Sequence, residues 1–246
     1  MIGPSGQAVT VDRDGRPFRH FPVAVSAGAM GLAWSRQEAA PDGACVLVDY
    51  EINALGRLGV AWPTPAADTL SFAVVLRPTL EVDDADLPWL LGGLGVSRGV
   101  ESYTGSKTAT VWPDQVVEQS SGRTIASILA EAQLAPGRVR AAVVTVRIDL
   151  AAAEVERDRR DDLLSAVLES IDAVSEACGE DRASVAAGYE GRSALIGRRA
   201  KVRLRPHGET RAEIAGFDVH GRLELRSATG MVERITVDML RDMELV

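Results

Sequence analysis

The sequence predicts an α+β fold in which a larger mixed unit is followed by a small all-β unit. Three observations carry this. Residues 139–150 form the strongest β-prone run of the chain, with Val143, Val144, Val146 and Ile148. Leu163, Leu164, Val167, Leu168, Ile171 and Val174 recur at spacings of three and four within 154–178, so this segment is an amphipathic helix that Gly179 is expected to stop. From Arg198 the texture changes to short β-prone runs, 200–205, 213–219, 223–227 and 233–237, separated by turns such as Asp218-Val-His-Gly221, the pattern of a small barrel-like domain.

The other elements follow in order. Residues 1–19 are polar and aperiodic and read as an N-terminal arm, with a short strand at 8–11. A strand at 22–26 enters a helix whose expected inner face is Met30, Ala33, Trp34 and Gln37, and Pro41-Asp42-Gly43 ends it. Residues 44–50 are a buried strand, 51–65 a glycine-containing loop, and 69–76 a strand closed by Arg77-Pro78. Asp83, Asp84 and Asp86 ahead of Pro88 mark a helix start, because acidic groups suit the positive end of the helix dipole and proline suits its first turn. The glycines that follow predict close packing of that helix. Runs 107–112, 116–118 and 125–131 read as strands, the last two joined by a turn at 120–123. Residues 179–197 read as loop with some helix. The expected organisation is an arm (1–19), a core (20–197) and a small β-domain (198–246).

Composition narrows the function classes. The 246 residues carry 27 Lys+Arg against 35 Asp+Glu, a net charge of −8. This argues against non-specific nucleic-acid or anionic-membrane binding. The longest mostly apolar run, 87–96, is far short of the roughly 20 residues a membrane helix needs. The first residues have neither the basic nor the apolar region of a secretory signal. Two cysteines, Cys45 and Cys178, are too few for a disulfide framework or a cysteine-built zinc site, so a cytoplasmic protein with reduced thiols and no metal centre is expected. His20, His207 and His220 are scattered, and Lys107 and Lys201 are the two lysines.

Four stretches carry a family resemblance. Asp49-Tyr-Glu-Ile-Asn-Ala-Leu-Gly-Arg-Leu-Gly-Val-Ala-Trp62 is similar to a Gly-Arg-Gly-Arg-x-Gly-x-x-Trp loop, matched at Gly56, Arg57, Gly59 and Trp62. Val111-Trp-Pro-Asp-Gln115 is similar to Lys-Trp-Pro-Asn-Asp, and Gly122-Arg-Thr-Ile-Ala-Ser-Ile-Leu-Ala-Glu131 to Gly-Arg-Lys-Ile-Ala-Gly-Ile-Leu-x-Glu. Val144-Thr-Val-Arg-Ile-Asp149 lies where a Gly-x-Gly-x-Asn strand is expected, and Ser26-Ala27-Gly28 where a Ser-Thr-Asn is. In order and spacing the chain resembles the biotin–protein ligases, which share a catalytic fold with lipoate–protein ligases, over about residues 20–246. It reads as a divergent member without the N-terminal DNA-binding domain of bifunctional relatives.

The resemblance implies a class II synthetase-like core of mixed sheet and flanking helices, plus a small C-terminal SH3-like β-barrel. It implies activation of a small carboxylic acid, biotin or lipoate, by ATP and Mg²⁺ to an acyl-adenylate, then transfer to a lysine of an acceptor domain. Ser26, Glu51, Gly56, Arg57, Gly59, Trp62, Trp112, Asp114, Thr124 and Asp149 are the expected ligand-binding positions. Both motif lysines are replaced, by Val111 and Thr124, and the two strand glycines by Thr145 and Arg147. Bringing an acid and ATP together needs fixed positive charge, and losing one such group typically costs about 10²–10³ in rate. Arg57 and Arg147 are the candidates to replace it. Arg147 either binds an anion or fills the pocket, and Arg123 should face away if Thr124 faces in. Trp62 and Trp112 suit the core as well as the site. Asp114 and Asp149 suit magnesium or local capping. Two function classes remain: an acid–protein ligase with altered site residues, or a pseudoenzyme that binds a small acid or a protein partner.

Overall fold

The computed structural model describes residues 10–246; part of the strand expected at 8–11 lies outside them. Strands β1 (Val11–Arg13) and β2 (Arg16–Ala24) lead into α1 (Ala27–Gln37). Strands β3 (Ala44–Glu51), β4 (Thr69–Leu76) and the two-residue β5 (Leu80–Glu81) precede α2 (Leu87–Thr104). Four strands follow, β6 (Thr108–Val111), β7 (Gln115–Glu118), β8 (Thr124–Ala135) and β9 (Arg138–Asp149), then α3 (Arg160–Glu180) and α4 (Arg182–Glu190). The chain closes with β10 (Arg199–Leu204), β11 (Glu209–Phe217), β12 (Leu223–Arg226), β13 (Val232–Ile235) and β14 (Leu240–Leu245).

The large sheet has the order β1-β2-β3-β4-β9-β8-β7-β6, with β5 paired to β9; β2 and β3 run parallel and the other neighbours antiparallel. The last five strands form a separate antiparallel sheet, β13-β12-β11-β10-β14. The architecture is therefore the expected one: a mixed sheet with flanking helices and a small C-terminal SH3-like β-domain. No helix among the described residues is long and apolar enough to cross a membrane.

One face of the large sheet is hydrocarbon at its centre. Leu70, Phe72, Val74, Val144, Val146, Ile148 and Ile128 are buried there beneath α2 and α3. The glycines of α2 allow the close approach: a Cβ on Gly99 would lie 2.6 Å from Val167 Cα of α3. The opposite face is covered at one end by α1, over Val46, Ala73 and Val143.

Several elements differ from the sequence reading. Strand β2 starts at Arg16 rather than at 22, because its first residues pair with β1 on one side and with β3 on the other. The inner stripe of α1 is Ala27, Gly28, Gly31, Trp34 and Ser35, with Met30 half-buried and Gln37 exposed. Small residues face in because Gly31 rests on Val143 and Ala73. Helix α3 begins at Arg160, after a turn in which Glu154 is left-handed (φ 58°). It runs past Gly179, and Asp181 both ends it and caps α4 by accepting the Ala183 N–H (3.0 Å). Strand β14 was absent from the sequence reading. Its polar sequence carries little pattern, and its place is set by pairing with β10.

The C-terminal sheet docks on the start of α2. Asp84 is fully buried and holds His220 Nδ1 at 2.8 Å and Arg182 Nη1 at 2.6 Å. Asp86 accepts the Val237 N–H at 3.1 Å. Gly221 abuts this turn so closely that a Cβ there would sit 2.8 Å from Leu87 N.

Candidate functional site

Past the end of α1, the second face of the large sheet is open. Register sets one row of side chains across it: Val48, Ser71, Arg147, Ser127, Gln115 and Val111, on β3, β4, β9, β8, β7 and β6. Directly opposed residues in a sheet point to the same side. Two neighbouring hollows lie over this region. A cleft of about 510 Å³ is bounded by the loop from Gly56 to Thr64, by residues 111–115 and by Leu240–Met243 of the C-terminal sheet. A smaller cavity of about 300 Å³ is bounded by residues 49–55, by Trp62 and by Ser71. Ala61, Trp62 and Thr64 separate them.

Arg147 fills space rather than leaving it. It is 2% exposed, and its Nε and Nη2 donate to the two oxygens of Glu51 at 2.5 and 3.1 Å, while Nη1 donates to Leu55 O at 3.1 Å. Glu51 Oε1 also accepts the Ala27 N–H at the start of α1 (2.7 Å). The helix end that would attract an external anion is thus occupied from within. Two residues along β9, Thr145 presses on Gly28 of α1, where any Cβ would collide with its Oγ1. Ser26 caps α1, accepting the Ala29 N–H (3.1 Å).

The loop residues are also engaged. Arg57 donates to Leu240 O (2.8 Å) and Arg241 O (3.4 Å), and its Nε lies 3.6 Å from Asp114 Oδ2. Burial lowers the Arg57 guanidinium below its usual value, against the pull of Asp114; burial raises Asp114, against the pull of Arg57. Each is a desolvated member of one pair. Leu58 and Gly59 are left-handed (φ 59° and 75°), and Gly56 N–H closes the loop on Val60 O (2.8 Å). Trp62 is half-buried and donates to Thr69 Oγ1 (3.1 Å).

Of the remaining expected positions, Trp112 lies on the cleft floor but is 1% exposed, its ring 6.4 Å from that of Phe217. Asp149 accepts from Thr64 Oγ1 (2.7 Å) and from the Ala152 N–H (2.9 Å), a strand-end cap. Thr124 borders the cleft with Gln115 at 3.4 Å, and Val111 borders it too. Arg123 points elsewhere, to Ala152 O (2.8 Å), as alternation predicts. Lys107 pairs loosely with Glu101 (3.8 Å).

The sequence reading missed Ser71, Ser127, Thr64 and the stretch from Leu240 to Met243. A signal for Ser71 existed: it is a serine in an otherwise apolar strand interior, Leu70-Ser-Phe-Ala-Val-Val-Leu76. None existed for Leu240–Met243, brought to Arg57 across more than 180 positions.

Arg57 and Arg241 are the Lys/Arg residues lining the cleft, and the smaller cavity has none. Among the described residues no three His, Cys, Asp or Glu are grouped to hold a metal ion. With Asp114 facing Arg57 and Asp149 capping, the side chains do not fit a magnesium site.

No family model matches the sequence. A curated relative, the bifunctional ligase/repressor BirA of Bacillus spizizenii, is 26% identical over 148 residues, 59% of this chain. The match spans 43% of that relative's length. Among solved structures, the biotin protein ligase of Aquifex aeolicus in complex with biotin and ATP superposes with a TM-score of 0.72 at 18% identity, covering 93% of this chain and 99% of that one. A biotin protein ligase-like protein of unknown function from Silicibacter sp. TM1040 superposes with a TM-score of 0.68 at 14% identity, covering 94% and 98%. This chain has the fold of the biotin protein ligases.

Proposed function

We propose that the chain is a non-catalytic relative of the biotin protein ligases, a binding module that keeps their scaffold and does not activate an acid. One observation carries this: the Arg147–Glu51 pair, sealed on the cleft-facing row with the first N–H of α1. Arg147 was the best substitute for lost positive charge, and Glu51 cancels it. Each of its three guanidinium nitrogens already donates within the fold, and the side chain is 2% exposed. Arg57 Nη1 and Nη2 are bonded to C-terminal carbonyls, and its Nε, without a hydrogen bond among the described residues, faces Asp114 at 3.6 Å. The motif lysine positions are Val111 and Thr124. Acyl-adenylate formation joins two anions and relies on preorganised cations, and among the described residues the cleft lining has one arginine whose side chain makes no ion pair or hydrogen bond, the exposed Arg241.

The second reading is a rewired biotin– or lipoate–protein ligase that uses ATP and an acceptor lysine. The retained Gly56-Arg57-x-Gly59 loop beside an open 510 Å³ cleft favours it. Acid-dependent exchange of pyrophosphate into ATP separates the two. With biotin, lipoate or octanoate, the unmodified protein is expected to give no exchange. Exchange with any of them overturns the non-catalytic reading.

A further inference from the structure

The smaller cavity has a ligand chemistry of its own, resting on the reading that the site does not activate acids. Its volume, about 300 Å³, is that of a small-molecule site. Ser71 lines it, is 4% exposed, and has a buried Oγ with no hydrogen-bond partner among the described residues. Buried polar atoms in folded proteins are nearly always paired, so this hydroxyl marks where a ligand's polar group is received. Asp49 and Glu51 are the charged residues of the lining, and no Lys or Arg joins them. Both carboxylates are already neutralised, Glu51 by Arg147 and Asp49 by Arg160 Nη2 (2.7 Å), with His20 Nε2 also at 2.8 Å. An anionic head would meet two carboxylates and no free cation, and an ammonium head would find no unmatched anion. Either charge would be buried uncompensated.

The mouth of the cavity is apolar. Tyr50 and Ile52 line it yet are 54% and 67% exposed. Val23 lies opposite Tyr50 in the parallel register, and Val25 follows two residues on, both more than half exposed. The Ile52 N–H bonds Ala24 O, which continues the pairing to this end. A strip of hydrocarbon thus starts inside the cavity and runs out over β3 and β2.

We propose that cavity and strip together take an uncharged amphiphile, its hydroxyl or primary amide on Ser71 Oγ and its alkyl tail along Ile52, Tyr50, Val23 and Val25. Head charge is the test. The full chain is titrated calorimetrically with octanamide, octanoate, octylammonium and butanamide. Octanamide is expected to bind, octanoate and octylammonium at least about tenfold more weakly, and butanamide more weakly because it loses buried methylenes. Ser71→Val should lower octanamide affinity about tenfold. Ile52→Asp, at an exposed site, should abolish the gain of octanamide over butanamide. The proposal is overturned if octanoate binds as well as octanamide, if no octyl compound binds, or if both variants bind octanamide as the parent does. Pyrophosphate exchange reports separately on catalysis, so failure of the one reading is distinguishable from failure of the other.

Discussion

The two faces of strand β9 follow different rules. On the side beneath α2 and α3, Val144, Val146 and Ile148 are buried hydrocarbon packed on hydrocarbon. On the other side, Thr145, Arg147 and Asp149 alternate with them, each polar and each bonded or pressed against the loops and α1. The first face builds the fold, and around β9 it is apolar. The second face borders the cleft and the smaller cavity, and an internal ion pair, Arg147 with Glu51, is buried on it.

Removing half of the ion pair is the strongest test of this contrast. Arg147→Ala should destabilise the protein by about 3–5 kcal/mol in urea unfolding, because Glu51 is left buried without its partner. The double change Glu51→Leu with Arg147→Met should cost much less, since hydrocarbon of similar volume commonly replaces a buried pair. A loss below about 1 kcal/mol for Arg147→Ala would mean that the pair does not seal the cleft.

On the hydrocarbon face, Leu70→Ala should cost about 2–4 kcal/mol by the same measurement, through lost burial and a residual cavity. The two faces then fail alike in size but differently in kind: no polar partner rescues Leu70.

A buried carboxyl at the start of α2, where the C-terminal sheet docks, provides the next test. Burial pushes Asp86 up to about 6, with the Val237 N–H, Arg222, Asp218 and Asp238 as its other influences. An unfolded aspartate titrates near 4. Between about pH 4 and 6 the folded chain keeps a proton that the unfolded chain releases, so this group's contribution to stability falls as pH rises through that window and levels off above it. Asp86→Asn keeps an acceptor for Val237 and loses the charge. It should stabilise the protein by about 1–3 kcal/mol at pH 7–8. The gap to the parent should close as pH falls to 4, read from urea midpoints across pH 4–8.

The smallest expected effect is at Thr145, whose buried Oγ1 has no hydrogen-bond partner among the described residues. Thr145→Val should stabilise by about 1 kcal/mol in thermal unfolding, since a methyl suits the site under Gly28 without an unpaired hydroxyl. Destabilisation would show that the hydroxyl is bonded there.

The local pattern revealed much of this. Residues 69–76 were legible as a strand to the residue, because an apolar β-prone run ends at Arg77-Pro78. The close packing of α2 was legible from its glycines. Of the ten expected ligand-binding positions the cleft gathers seven, Gly56, Arg57, Trp62, Trp112, Asp114, Thr124 and Asp149; Glu51 lines the smaller cavity, and Ser26 and Gly59 line neither. Their individual roles were not legible. Arg57 has the spacing of an anion ligand in a glycine loop, yet its partners are carbonyls of β14. Trp112 has the look of a site tryptophan, yet it is core against Phe217.

What the sequence determined by itself was periodic or local: strand alternation, the stripe of α3, the change of texture at residue 198 and the loss of both motif lysines. Hydrophobic burial is set by spacing along the chain, so spacing reports it. What only the tertiary structure decided was whether each charge is free. Glu51 and Arg147 are 96 positions apart, and whether they bind a ligand or each other depends on register between β4 and β9 and on where α1 begins. Electrostatic pairing acts through a few ångströms of space rather than along the chain, so no local pattern announces it.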